Sequence, residues 1–349
     1  MNTIYLDHAS MTPPIDAAYK AFRDAPFGNP SSEHAVGQAA RDAMELAREK
    51  IARLMDCDSN DVYFVSTATE GAALAAFSLA QRDYAITTSD REHHAVSENA
   101  NAFRFKHPDC WPTEVYGWML ANNETGERLS PPAIAPGSSE LWLCDATAAV
   151  GHIPVSFKTL GCDYLIADAI KFGGYSSAFL IAKHGAPLSP LIRGGGQERG
   201  MRSGTENVPA ICAMAAALEW QTEHMEENTA KLSKLADIFV TELSKIPGHL
   251  WNTPLDKPRL PHILNISFEG VDAHALALLL SKMGVMISAG AACSNGLHEP
   301  SHVIMAMFHD EARARSAVRI SMGHQNTEEQ AKLAAVNIAK TVAYLRSLN

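Results

Sequence analysis

The chain has 349 residues, 46% of them hydrophobic and 19% charged, with a formal net charge of -10. That length exceeds one small core and suits a large domain with a smaller companion. The acidic balance argues against direct nucleic-acid binding, and no apolar run approaches the roughly 20 residues of a membrane span. The N-terminal stretch MNTIYLDHAS has neither a basic segment nor an apolar signal core. Six cysteines (57, 110, 144, 162, 212 and 293) are scattered without a CxxC pair. No zinc site or disulfide framework is expected, and the thiols fit a reduced, cytoplasmic protein.

Taken in order, residues 1–34 read as irregular, with Pro13, Pro14 and a turn at Asn29-Pro30-Ser31-Ser32. From Ala35 to Met55, apolar residues recur at helical spacing between charges, which predicts a long amphipathic helix. A strand is expected at Val62–Ser66, followed by Thr67-Ala68-Thr69-Glu70-Gly71 and a helix from Ala72 to about Gln81. The unpaired amides and positive dipole end of such a helix start would seat a phosphate, with the Thr69 hydroxyl as a further donor. Plain N-caps have the same composition, so the signal is weak alone.

Further strands are expected at Tyr84–Thr88 and Glu114–Leu120, and then two apolar runs that each end in a charged group. Leu141–Cys144 ends at Asp145, and Tyr164–Ala167 ends in Asp168-Ala169-Ile170-Lys171. Such runs are how buried strands of a parallel sheet look, and chemistry in those sheets gathers at the carboxyl ends. A lysine and an aspartate at neighbouring strand ends suit pyridoxal phosphate, the lysine forming a Schiff base and the aspartate keeping the pyridine nitrogen protonated. On these two residues alone an ordinary surface ion pair is the simpler reading.

Ala178–Lys183 is another strand, and residues 193–205 form a loop with three arginines among glycines. A linker could have this composition, but anion binding or a subunit contact explains the arginines better. Helices follow at Pro209 to about Gln221 and at about Glu223–Lys245. The last third alternates a strand (Ile263–Phe268), a helix (Ala273–Met283), the Cys293 loop, a strand (Val318–Ser321) and a helix from Thr327. The overall expectation is an α/β protein with a mainly parallel sheet. A large domain would span 21–249 and a smaller α+β domain 250–349, with residues 1–20 packing on the smaller.

The motifs YLDHASMTP (5–13), FGNPSS (27–32), STATEG (66–71), REHHAV (91–96), ANNETG (121–126) and CDAT (144–147) continue with DAIKFGG (168–174), GGGQERGMRSGTEN (194–207), SAGAACSNG (288–296) and SAVRISMG (316–323). In this order they resemble the cysteine desulfurases of the class V aminotransferase family, nearly end to end. The resemblance implies an aspartate aminotransferase-like fold (pyridoxal-phosphate fold type I) with a seven-stranded, mainly parallel sheet. It implies a homodimer with shared active sites and no metal.

Residue by residue, it makes Lys171 the Schiff-base lysine and Asp145 the partner of the pyridine nitrogen. Thr69 and the Ala68 amide match the phosphate seat, and Thr205 the threonine that reaches the phosphate from the other subunit. His93 corresponds to the histidine stacked on the ring and Asn123 to the asparagine near the ring hydroxyl. Arg319 and Asn29 match the groups that hold the substrate carboxylate. Cys293 corresponds to the cysteine that takes sulfur from L-cysteine as a persulfide, leaving L-alanine, for delivery to an acceptor protein. Its small-residue loop suits movement between substrate and acceptor. The other five cysteines read as structural.

The pattern departs from the family near the cofactor. Ala148 stands where the family has a glutamine, and Asp168 and Ile170 stand where it has a serine and a histidine that bind the phosphate. Each lost donor is worth about 0.5–3 kcal/mol, which weakens cofactor binding without removing the Schiff base. A carboxylate at position 168 would also repel a phosphate dianion. The segment between His93 and Asn122 is short for the family, the Cys293-to-Arg319 spacing is that of its long-loop subgroup, and no scaffold-docking tail follows the last helix. A specialised sulfur donor is therefore expected. The alternatives are another class V enzyme, an aminotransferase or lyase with no need of a nucleophilic cysteine, and a degenerate homologue that serves as a binding partner.

Overall fold

A computed structural model describes residues 3–103, 113–131, 140–290 and 299–348. The chain divides into two compact units. One comprises residues 13–120 and 129–223, the other residues 1–12, 121–128 and 224–349.

The first unit is built on a six-stranded sheet among the described residues. Its order is Val62–Val65, Ala178–Ala182, Tyr164–Asp168, Leu141–Asp145, Thr113–Met119, Tyr84–Thr88. The last four of these run parallel to one another, while Ala178–Ala182 is antiparallel to both its neighbours. The mainly parallel α/β architecture stands, with six described strands in place of seven. Tyr164–Asp168 and Ala178–Ala182 are buried at every position, and the helix Ala68–Ala80 packs against both. Trp142, Tyr164 and Phe179 are the large side chains sealed inside it.

Several elements differ from the sequence expectation. The helix Asp16–Asp24 lies in the region read as irregular. At nine residues it is too short to show a stable period and has no side-chain cap, and packing against Val208–Glu223 supports it. His94–Ala102 is a second unanticipated helix. The helix expected from Ala72 begins four residues earlier, at Ala68, because the Thr67 hydroxyl caps it by accepting the Glu70 amide.

The loop at 193–205 is pinned down rather than free. Glu198, itself in the left-handed region at φ 47, makes a buried two-pronged ion pair with Arg48 at 2.8 and 2.9 Å. It also accepts the Phe64 amide at 2.8 Å. Arg202 pairs with Glu70 at 2.7 Å, and Arg199 lies over the Tyr63 ring. Two of the three arginines are therefore engaged within their own unit.

The second unit has an antiparallel sheet in the order Ser288–Ala289, Ala317–Ser321, Ile263–Phe268, His249–Trp251. Met225–Leu243, Ala273–Lys282 and Glu328–Arg346 supply its helices, and Phe239, Leu264, Phe268, Leu276, Ile320 and Ile338 are in its core. Ile4–Tyr5 runs parallel with Val285–Met286, which ties the N-terminal residues to this unit. The unit begins at His224 rather than near residue 250, because Met225–Leu243 buries its apolar face against Glu328–Arg346. Its N-terminal segment ends at Thr12, and Asp16–Asp24 belongs with the first unit.

Candidate active site

Within the first unit, the carboxyl ends of neighbouring parallel strands present the groups singled out above. Asp145 ends its strand nearly buried, at 7% exposure, with one carboxylate oxygen accepting the Thr147 amide at 2.9 Å. Lys171 ends the 3-10 turn Ala169–Lys171 that follows the adjacent strand. Its carbonyl lies 3.0 Å from Nε2 of His152, a ring whose burial pushes its pKa down to about 4 and keeps it neutral. Gly173 then turns the chain at φ +86, where a Cβ would meet the Ile15 side chain at 2.8 Å. The turn that presents the lysine is thus locked by packing as well as by hydrogen bonds.

His93 caps the helix His94–Ala102, its Nδ1 accepting the Ala95 amide at 3.0 Å. That bond leaves the proton of a neutral ring on Nε2. Beside it Glu92 is buried, with one oxygen accepting the Met119 amide at 3.0 Å. Met119 pairs in register with Asp145, so the two carboxyl groups face the same strand end. Burial first, and then the Asp145 charge, push the Glu92 carboxyl up to about 8. The sequence reading missed Glu92; the signal was an acid directly before the singled-out histidine.

At the proposed phosphate seat the Ala68 amide already has a partner. It donates to Asp168 Oδ2 at 2.9 Å, and the Ile170 amide lies 3.2 Å from Oδ1. Thr69, next in the helix, is exposed. Asn29 and Thr205 are exposed, Asn29 closing its own turn by accepting the Ser31 amide at 2.9 Å.

The second unit carries Arg319 and Asn123. Arg319 is buried, donating to Asp7 Oδ1 at 2.8 Å and to the Asn123 carbonyl at 3.0 Å. Its Nε is buried without a hydrogen-bond partner among the described residues. A guanidinium so held has donors left for a carboxylate. Asp7 was not foreseen as its partner, since 312 residues separate them. Cys293 and Cys110 lie outside the described residues. Cys57, Cys144, Cys162 and Cys212 are free thiols, and burial, helped by three nearby aspartates, pushes Cys57 up to about 12. Cys57, Cys144 and Cys212 are all shifted upward, away from the lowered pKa of an activated nucleophile.

Whether these residues suit pyridoxal phosphate can be tested on their chemistry. An amine and a nearly buried carboxylate end neighbouring strands, and the Thr147 hydroxyl is buried without a partner among the described residues. The ring end of the cofactor fits that donor set. At the phosphate end the fit is incomplete, because Asp168 holds the Ala68 amide.

The aminotransferase class-V family matches residues 4–107 and 113–333. A cysteine desulfurase IscS of Dictyoglomus turgidum is 34% identical over 380 residues, covering 99% of this chain and 96% of its own. One from Methanosarcina thermophila is 32% identical, covering 99% of this chain and 93% of its own. A solved NifS-like protein superposes with a TM-score of 0.86 at 30% identity, over 98% of this chain and 100% of that one. No helix among the described residues is long and apolar enough to cross a membrane. With family match, relatives and fold in agreement along its whole length, the chain belongs to the class-V aminotransferases and, among them, to the cysteine desulfurases.

Proposed function

We propose that this chain removes the sulfur of L-cysteine to give L-alanine and carries it as a persulfide on Cys293 for an acceptor protein. The observation that carries the reading is the pair Asp145 and Lys171 at neighbouring strand ends, in a chain related end to end to cysteine desulfurases. Lys171, Asp145, Thr69, Ala68, His93, Asn123 and Thr205 would hold pyridoxal 5'-phosphate, Thr205 serving the site of the other subunit in a homodimer. When bound, the cofactor supplies an electron-poor ring that weakens the bonds at the substrate's carbons.

The remaining work falls to the chain. Arg319 and Asn29 would grip the substrate carboxylate, with Asp7 and the Asn123 carbonyl holding the guanidinium in place. The Cys293 thiolate would attack the substrate sulfur. As the new S–S bond forms, the substrate's carbon–sulfur bond breaks and its electron pair stays with the carbon. A proton taken at that carbon completes the methyl group of alanine. His93, whose Nδ1 accepts the Ala95 amide, would relay protons through Nε2.

Purified protein should show a visible absorption band on addition of the cofactor, and release sulfide and alanine from L-cysteine with a reductant present. Lys171→Ala should lose the band, whereas Cys293→Ala should keep the band and lose the sulfide. Full turnover by Cys293→Ala would move the protein to another class V reaction. A non-catalytic homologue is the second reading, and the Asp168 carboxylate on the Ala68 amide is the observation in its favour. Absence of any band would decide for it.

A further inference from the structure

Among the departures from the family, Asp168 is the one whose surroundings the structure spells out. It ends the strand Tyr164–Asp168 at 5% exposure, and the amides of Ala68 and Ile170 both point at its carboxyl group. The Ala68 amide opens a helix of 13 residues. A carboxylate therefore takes the place at that helix start where the cofactor phosphate is read to sit.

The charged groups around Asp168 are few. Lys171, from the turn that follows, favours its ionised form, while Asp145 from the neighbouring strand opposes it. Glu70, from the helix, is turned to Arg202 and Ser66. Ala178–Ala182, the strand on the other side, is apolar throughout. Burial is the largest influence, and the Asp168 carboxyl lies above the usual aspartate range even though two amides pull it down.

We infer that Asp168 meets the cofactor phosphate as a neutral carboxyl, so that cofactor binding takes up one proton from solvent. This rests on the reading of pyridoxal 5'-phosphate as the cofactor. Two anions cannot share the seat without a large repulsive cost. Turning away would sacrifice both amide bonds of a nearly buried side chain. Protonation sacrifices at most one of them, since a carboxylic acid keeps an acceptor oxygen for an amide and gains an O–H donor for the phosphate. It restores, in acid form, the donor that a serine supplies at this position in the family. The proton comes from solvent and is returned when the cofactor leaves.

The test is a binding measurement. Pyridoxal 5'-phosphate would be titrated by absorption into cofactor-free protein from pH 6 to 8.5, for the wild type, Asp168→Asn and Asp168→Ser. The same titrations would be made with pyridoxal, which lacks the phosphate. Protonation of the free ligand is common to all three proteins, and any change that Asp168 imposes on Lys171 appears with pyridoxal as well.

Wild-type affinity for the phosphorylated ligand should fall with rising pH more steeply than that of either variant, by up to roughly tenfold per pH unit. Both variants should therefore bind it more tightly than the wild type at pH 8.5, and pyridoxal should show no such difference. Equal slopes in wild type and variants, with the ligand bound, would overturn the inference while leaving the cofactor reading intact. An excess slope that also appears with pyridoxal would overturn it too, by placing the effect at Lys171 rather than at the phosphate. Failure of all three proteins to bind at any pH would overturn the cofactor reading and this inference together.

Discussion

Glu92 shows how much one buried acid can impose on a site. In the unfolded chain it is an ordinary glutamate, whereas in the fold its carboxyl is pushed up to about 8 by burial and then by Asp145. Between the ordinary glutamate value and pH 8 the folded protein therefore holds a proton that the unfolded chain has released. Stability falls as pH rises wherever the native state binds more protons, so this contribution declines across that window and levels off near pH 8. Denaturant midpoints of the cofactor-free protein should drop from pH 5 to pH 8, and Glu92→Gln should flatten much of that drop. An equally steep decline in the variant would show that other groups govern it. Arg319 makes the complementary case, a buried cation whose charge is met by Asp7 at 2.8 Å.

Elements in this chain owe their ends to side chains and their persistence to packing. Glu328–Arg346 begins with a reciprocal cap, in which the Thr327 hydroxyl accepts the Gln330 amide and the Gln330 side chain accepts the Thr327 amide. Thr327→Ala should cost about 1 kcal/mol in chemical denaturation, with no change in cofactor binding. The loop at 193–205 depends on one buried ion pair. Arg48 and Glu198 side chains are 3% and 1% exposed, and losing one partner leaves the other charged in the interior. Glu45, 2.9 Å from the Arg48 Nε, still meets part of that charge, so Glu198→Gln should destabilise the protein by about 1–3 kcal/mol, read as a lower unfolding midpoint. A loss below 1 kcal/mol would mean that the loop is held by Arg202 and Arg199 instead.

At the scale of the whole molecule, Asp145, Lys171, His93 and Ala68 lie in one unit, and Arg319 and Asn123 lie in the other. The expectation that Thr205 serves a neighbouring subunit is an assembly prediction. Sedimentation should give a particle of twice the 37.7 kDa chain mass. A monomer that releases sulfide from L-cysteine would sink the shared-site reading while leaving the chemistry intact.

Much of this protein could be read before folding. Apolar runs ending in Asp145 and before Lys171 announce buried parallel strands, because a strand covered on both faces needs an unbroken apolar run. The helices Ala35–Met55 and Glu328–Arg346 are long enough for their periodicity to show. The short helix Asp16–Asp24 was not legible, since packing rather than propensity sustains it. Nor was the antiparallel placement of Ala178–Ala182 between two other strands, because an apolar run buried on both faces reads the same in either direction. The partners of the buried charges were equally out of reach. Asp168 and Ala68 are 100 residues apart, Arg48 and Glu198 150, and Asp7 and Arg319 312. Local spacing determines which residues stand at a strand end or a helix start. The partner that meets a buried charge is chosen only when the fold closes and each polar group must find one or remain in water.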